Sequence, residues 1–199
     1  MASIEQFPNG PTTFPTINAL IARLNGKWHR QALRIFMIIV LAHWVEHLMQ
    51  AFQVYALGWR RTQANGALGM LFPWLVASEW LHYLYAIIML IGLILLHPAF
   101  KGHARLWWTI ALAIQVWHHF EHLLLLGQAL THTTLFGAPA PTSILQLLFP
   151  RMELHLFYNA VVFVPMLIAM YYHVNPPAGE VLVPICNCTR LHRNVLVHE

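Results

Sequence analysis

Two five-residue segments of the sequence carry the same arrangement of histidine and glutamate. The first segment contains His43, Glu46 and His47, and the second, about 75 positions later, contains His118, Glu121 and His122. Positions i, i+3 and i+4 share one face of an α-helix, so each segment directs two imidazoles and one carboxylate the same way. Imidazole with carboxylate is a ligand combination for Fe, Zn, Mn or Cu(II). The two segments therefore predict a metal centre.

A second pair of motifs adds candidate ligands. Leu81-His82-x-x-Tyr85 matches Leu154-His155-x-x-Tyr158, and Glu79 precedes His82 at the Glu-x-x-His spacing of bundle-core di-iron sites. The predicted metal ligands are His43, Glu46, His47, Glu79, His82, His118, Glu121, His122 and His155. This set is sufficient for two transition-metal ions, with Fe preferred and Zn, Cu or Mn as alternatives. Tyr85 and Tyr158, one helical turn further on, are expected to donate hydrogen bonds or to take part in redox chemistry.

The composition predicts that these residues lie in a membrane. The chain is 58% hydrophobic and 9% charged, unlike a soluble globular domain. Four apolar runs, at 32–58, 73–97, 105–130 and 144–173, are each long enough to cross a hydrocarbon core of about 30 Å. No cleavable signal is expected, because the first run begins after residue 30. The predicted fold is an all-α integral membrane protein with a bundle of four transmembrane helices.

The matching motifs indicate that the bundle consists of two tandem helix-pair repeats. We expect residues 1–31 to form an N-terminal arm and an amphipathic interfacial helix, because apolar residues recur at helical spacing between Ile17 and Leu24. Residues 32–97 would form the first membrane repeat and residues 98–175 the second, with 176–199 as a cytoplasmic tail. Two-helix repeats keep the same orientation, so their symmetry axis would run along the membrane normal.

The distribution of basic residues predicts the orientation. Lysine and arginine precede the first run, separate the second from the third and occur in the tail, whereas Arg60, Arg61 and Arg151 fall on the other side. The positive-inside rule then places both termini in the cytoplasm, in an inner or plasma membrane. The lipid bilayer is the expected partner. Nucleic-acid binding is not expected, because membrane topology accounts for the net charge of +4.

The predicted depth of the polar residues favours one shared site. His47 would lie roughly 16 Å from the outer end of its span and His82 roughly 14 Å, which is near the bilayer centre. The sequence contains no aspartate, and four of its seven glutamates, Glu46, Glu79, Glu121 and Glu153, fall within the apolar runs. Few basic residues are expected at that depth, so a metal ion is the simplest source of compensating charge. Some carboxylates are also candidates for orienting a histidine ring.

The preferred function is oxidation or oxygen activation on a hydrophobic or small substrate, with a redox partner or partner membrane subunits. One alternative is an accessory subunit of an electron-transfer or photosynthetic complex that binds haem b or a pigment through paired histidines. Another is a transporter of metal ions or protons. The two five-residue segments, His43–His47 and His118–His122, which we call the pentads, also contain His-x-x-Glu-His. This is the reversed zinc-peptidase signature, but a peptidase needs one such site rather than two.

The C-terminal segment carries the only two cysteines, Cys186 and Cys188, with His192 and His198 nearby. Their Cys-x-Cys spacing and predicted cytoplasmic location favour thiols over a disulfide. An ordinary tail is the preferred interpretation, and metal capture or contact with a partner is the alternative.

Overall fold

A computed structural model describes residues 15–177, 180 and 188, and this part of the chain is helical without strands. It contains seven α-helices: α1 (Pro15–Asn25), α2 (His29–Tyr55), α3 (Gly66–Leu71), α4 (Pro73–Val76), α5 (Glu79–Leu96), α6 (Gly102–Thr131) and α7 (Arg151–Val174). The four longest helices pack as a closed group: α6 contacts α5 and α7, and α2 also contacts α5 and α7. All four can therefore contribute side chains to a common interior.

Within the described part of the chain, three helical segments are long and apolar enough to cross a membrane. They are His29–Tyr55, Glu79–Ala99 and Arg151–Val174, and only 28%, 22% and 39% of their most apolar stretches are buried in the protein. Helix α6, which contains several histidine and glutamine residues and one glutamate, is not among them. The predicted number of four spans is thus not confirmed.

The second apolar run does not begin as a helix where the sequence predicts. A single helix from Pro73 was expected, but α4 ends at Val76 and Ser78 adopts an extended conformation. The Ser78 hydroxyl accepts a hydrogen bond from the Trp80 amide (3.3 Å), an N-cap that starts α5 at Glu79. Helix α7 starts directly after the extended Pro150, at the predicted opening of the fourth span. His82 and His155 therefore lie about 5 Å from the beginning of their helices, not near the middle of a long span.

The bundle interior has an apolar half and a polar half. The apolar half surrounds Trp108, which is fully buried together with Phe100, Leu93 and Met166. The Trp108 indole N–H donates to the Leu93 carbonyl oxygen (2.9 Å), so its only polar atom is satisfied. The Phe100 ring stacks on Trp108 with ring centroids 4.0 Å apart. This dry core fixes the four helices on one side of the histidines.

Helix α1 forms where the sequence predicts it and is fastened to the end of α5. The buried Asn25 side chain donates to the Leu95 carbonyl oxygen (2.8 Å) and accepts from the Ala99 amide (3.1 Å). Ile17 and Leu20 on the same helix remain more than half exposed, at 58% and 55%. An apolar face that the described residues leave exposed is compatible with the predicted interfacial position, which stays a prediction.

Candidate metal centre

Six histidines from the four long helices come together in the polar half of the interior. They are His43 and His47 on α2, His82 on α5, His118 and His122 on α6, and His155 on α7. His155 is the centre of the group, because its ring lies 5.4 Å from His47, 6.0 Å from His82, 5.7 Å from His118 and 5.1 Å from His122, between centroids. We call these six side chains the histidine cluster.

The two pentads present their histidine pairs in the same way. The rings of His43 and His47 have centroids 4.5 Å apart at 90°, and those of His118 and His122 are 4.6 Å apart at 79°. The Nε2 atoms of His43 and His47 are 3.2 Å apart. Two nitrogens bound to one tetrahedral ion at 2.0–2.1 Å are separated by about 3.3 Å. The first pair thus already has the spacing of two ligands on a shared ion.

Backbone hydrogen bonds select the tautomer of the other two histidines. The Nδ1 atom of His82 is 3.1 Å from the Ser78 carbonyl oxygen, and Nδ1 of His155 is 2.7 Å from that of Arg151. A carbonyl oxygen only accepts, so Nδ1 carries the proton in both rings. Nε2 is then left with a free lone pair. This is how metal-ligating histidines are commonly oriented.

Three rings of the histidine cluster contain a buried nitrogen without a hydrogen-bond partner. These atoms are Nδ1 of His118, Nδ1 of His122 and Nε2 of His155. The three rings are mutual neighbours, with centroid distances of 4.6, 5.7 and 5.1 Å. A buried polar atom without a partner costs about 1–3 kcal/mol, so three in one place need an explanation. A cation bound among the rings would supply the missing partner.

The ligand atoms of the histidine cluster are too far apart to hold an ion without movement. Within residues 15–177, 180 and 188, three or more ligand atoms of His, Cys, Asp or Glu lie within 4.8 Å of one another only at His29, His173 and Cys188. The histidine cluster does not reach that spacing. Binding an ion there requires its rings to close toward one another.

The carboxylates of the two pentads contact backbone amides rather than the histidine cluster. Glu46 accepts from the amides of Ala67 (3.1 Å) and Leu68 (3.0 Å), at the beginning of α3. Glu121 accepts from the Leu145 amide (3.0 Å) in the loop before α7. A carboxylate is favoured at a helix N-terminus, where amides are unsatisfied. Both glutamates therefore fasten a loop to a long helix.

Two buried glutamines also fasten loops to the long helices, each about two turns after a glutamate. Gln53 accepts from the Gly66 amide (2.9 Å) and donates to the carbonyl oxygen of the same residue (3.3 Å). Gln128 accepts from the Thr142 amide (3.2 Å) and donates to the Thr142 carbonyl oxygen (2.8 Å). Both side chains are buried. The connections 56–78 and 132–150 are thereby held at the end of the bundle nearest the histidines.

Arginines neutralise the other two glutamates of the apolar runs, Glu79 and Glu153. Glu79 makes a two-point ion pair with Arg151, with both N–O distances at 2.6 Å. Glu153 accepts from Arg61 and from the Tyr55 hydroxyl. The expectation that few basic residues lie at the depth of the glutamates is wrong for both carboxylates. The break before Glu79 moves it to the helix end, where an arginine can reach it.

The ion pair gives a first testable prediction. Replacing Glu79 with glutamine should lower the free energy of unfolding by about 1–3 kcal/mol, because the half-buried Arg151 guanidinium loses its partner. Thermal unfolding of the purified protein in detergent measures the change. The double variant Glu79→Gln, Arg151→Gln should recover part of the loss. Equal stability of the single variant and the parent would contradict a structural role for this pair.

The two tyrosines lie against the histidine pairs. The Tyr85 ring is 4.5 Å from that of His43, and the Tyr158 ring is 4.3 Å from that of His118, between centroids. The Tyr158 hydroxyl accepts a hydrogen bond from the Trp117 indole (2.7 Å). Each tyrosine thus contacts one candidate ligand ring directly. A redox role for either remains a prediction.

Two cavities adjoin the histidine cluster on the side of the loops. One of about 270 Å³ is bounded by His47, His82 and His155, with Glu79 and Arg151 also in its wall. Another of about 210 Å³ lies beside His43, His47 and Tyr85. The space enclosed deeper among His43, His82, His118 and His122 is only about 20 Å³. A small molecule can therefore be placed next to the rings but not between them.

Sequence reasoning missed the second group of ligand atoms. Cys188 was associated with Cys186, His192 and His198, which lie outside the described residues. The structure instead places it beside His29 and His173, at the beginning of α2 and the end of α7. Neither histidine belongs to a motif. His29 and His173 come together because α2 and α7 are antiparallel, so that the first residue of α2 lies beside the end of α7. The sequence contains no local signal for this proximity.

Comparisons with models of protein families, with curated proteins and with solved structures find no match for this chain. Its function must therefore be inferred from the arrangement of its own residues.

Proposed function

We propose that this protein is an integral membrane metalloprotein in which the histidine cluster binds one or two transition-metal ions. The observation that carries the proposal is the trio of neighbouring rings with unpartnered buried nitrogens, His118, His122 and His155. Hydrogen-bonded packing histidines would not leave three such atoms together. The 3.2 Å separation of the His43 and His47 Nε2 atoms supports a second ion position.

Exposure of apolar side chains supports insertion into a bilayer. Ile35, Ile38 and Leu41 on α2 are 61%, 66% and 47% exposed, far more than a water-soluble bundle would leave uncovered along one helix. We propose that α6 is the fourth span. Its polar residues point inward, since Gln115, His118, Glu121 and His122 are all buried. Lipid would then contact the apolar outer surface of the bundle. The polar side chains, whose exposure to lipid would be unfavourable, are enclosed.

Matched contacts support an origin in two tandem repeats. The His43–Tyr85 contact corresponds to His118–Tyr158, and the role of Glu46 corresponds to that of Glu121. The stacked pair His47–His155 corresponds to His122–His82, so each pentad faces a histidine from the other half. This symmetry gives two equivalent pairs of imidazoles. A dinuclear centre would hold one ion at His118, His122 and His155 and the other at His43 and His47, with His82 beside His122 and His155.

The donor set narrows the choice of ion. Imidazoles suit Fe, Cu and Zn, and the carboxylates of Glu46, Glu79 and Glu121 already have backbone or arginine partners. We therefore assign the ligands to histidine and give the glutamates a supporting role. A redox-active ion bound here would supply electron transfer or dioxygen activation. The 270 Å³ cavity beside His155 would admit a small substrate, and Tyr85 and Tyr158 lie where they could exchange protons or electrons with the ligand rings.

The two alternative functions, haem or pigment binding and transport, fit the observed geometry less well. A haem or pigment macrocycle between axial histidines requires far more room than the 20 Å³ enclosed by the rings. A transporter requires polar residues continuing to both ends of the bundle. Among the described residues, the packed apolar half around Trp108 closes one side, and the cavities of about 270 and 210 Å³ lie on the other. Access from one side favours a site for binding and reaction.

Elemental analysis tests this proposal. Protein purified in detergent without chelator should contain about one to two transition-metal ions per chain in a Cys188→Ser background, which prevents binding at the separate His29–His173–Cys188 group. The variant His122→Ala should lose most of this metal. His119→Ala is the matched control, because its ring contacts Tyr83 outside the cluster. Equal metal content in His122→Ala and His119→Ala, both folded, would refute the proposed ligand set.

A further inference from the structure

A second group of metal-type ligands lies at the opposite end of the bundle. The ligand atoms of His29, His173 and Cys188 are all within 4.8 Å of one another. His29 is fully buried and His173 is 9% exposed, and their ring centroids are 5.1 Å apart. His29 precedes His47 on the same helix by about 27 Å along its axis. The group is therefore remote from the histidine cluster.

The surroundings of these side chains are rigid. The Phe100 ring packs against both imidazoles, with centroid distances of 5.7 Å to His29 and 4.7 Å to His173. Phe100 in turn stacks on the buried Trp108. The two histidines are thus held by the apolar core, whereas Cys188 approaches from the C-terminal segment. A site preformed by two ligands and completed by a third is what this arrangement provides.

We infer that His29, His173 and Cys188 bind a borderline divalent transition-metal ion of the Zn²⁺ or Co²⁺ type. Two neutral imidazoles and one thiolate are ligands that such ions prefer, and three protein ligands are sufficient to hold one. An ion with nitrogen at 2.0–2.1 Å and sulfur at about 2.3 Å separates its ligand atoms by about 3.3–3.7 Å. Closing the site from 4.8 Å requires shifts of about 1 Å. Binding converts the Cys188 thiol to a metal-bound thiolate and releases its proton to solvent.

The ion would fasten the C-terminal segment to the bundle. Its ligands come from the first residue of α2, from the last turn of α7 and from the chain beyond α7. Metal-bound Cys188 should consequently be protected from alkylation, and removing the ion with a chelator should restore its reactivity. The inference does not depend on the proposed function, because no residue is shared between the two sites.

Cobalt titration of the full-length protein in detergent tests this inference. One equivalent of Co²⁺ should produce a cysteinate-to-cobalt charge-transfer band, which an all-imidazole site cannot give. The band should be lost in Cys188→Ser. In His173→Ala, the apparent affinity for Co²⁺, measured from the same band, should fall at least about 10-fold. It should persist in three controls: Cys186→Ser, which keeps one thiol; His97→Gln, whose parent ring bonds Thr109 away from the group; and His155→Ala, which alters only the histidine cluster.

Loss of the band in Cys186→Ser with retention in Cys188→Ser would overturn the inference, as would the absence of any thiolate band in the parent protein. Alkylation of Cys188 by iodoacetamide gives an independent measurement that does not require the histidine variants to fold. Zn²⁺ should slow the reaction at least about 10-fold in the Cys186→Ser protein. An unchanged rate would contradict metal binding at Cys188.

Discussion

Replacing His155 with alanine should weaken metal binding by the protein more than about 100-fold. Removing a residue that only orients a ligand costs about 10–100-fold in metal affinity, and the loss of a ligand should exceed that. His155 contacts four of the five other rings of the histidine cluster and directs an unpartnered Nε2 into it. Without His155, one ion loses a ligand, and the remaining imidazoles lie beside an enlarged cavity. No other single substitution in the cluster is expected to have so large an effect.

Equilibrium dialysis against buffered Zn²⁺ or Cu²⁺ in the Cys188→Ser background measures this effect. His119→Ala should retain the affinity of the parent, because His119 lies outside the cluster. His155→Asn provides a second variant that fills part of the volume, should alanine reduce the yield of folded protein. Parental affinity in both His155 variants would remove this residue from the centre.

The largest effect on stability is expected for Gly66→Ala, which should lower the free energy of unfolding by about 2–4 kcal/mol. Gly66 has φ +72°, a backbone conformation that costs an alanine about 1–2 kcal/mol. In addition, a Cβ atom there would clash with the carboxylate of Glu46. The carboxylate would have to leave the amides of Ala67 and Leu68, so the beginning of α3 would lose its cap.

Gly58→Ala is the matched control for this prediction. Gly58 has φ +70°, but a Cβ atom added there meets nothing within 4 Å. It should therefore show only the backbone cost, about 1–2 kcal/mol. Thermal unfolding of the two variants in the same detergent separates the contact with Glu46 from the backbone term. Equal losses in the two variants would show that the Glu46 contact contributes nothing to stability.

Periodicity was sufficient to predict the helices and the faces on which the histidines lie. Six imidazoles at helical spacing in apolar runs are expected to face a common interior, because burying each of them separately would be unfavourable. The helix starts were less predictable. Ser78 and Pro150 interrupt runs whose hydropathy continues across them, and a capping hydroxyl or an extended proline hardly changes a hydropathy average.

The partners of the glutamates could not be predicted from spacing. A Glu three residues after a His shares its helical face whether it binds an ion or a backbone amide. The loops decide between the two, since α3 presents free amides to Glu46, and the start of α7 brings Arg151 to Glu79. The His29–His173–Cys188 group depends on which helix ends meet in three dimensions. Neither kind of contact leaves a local signal in the sequence.

X-ray absorption spectroscopy of the metal bound to the Cys188→Ser protein tests the central proposal most directly. A centre made by the histidine cluster predicts a first shell of nitrogen at about 2.0–2.1 Å with the outer-shell scattering of imidazole rings, and the loss of that signal in His155→Ala. A bound metal with an oxygen shell and no imidazole scattering, or a folded protein that binds no metal, would contradict the proposal.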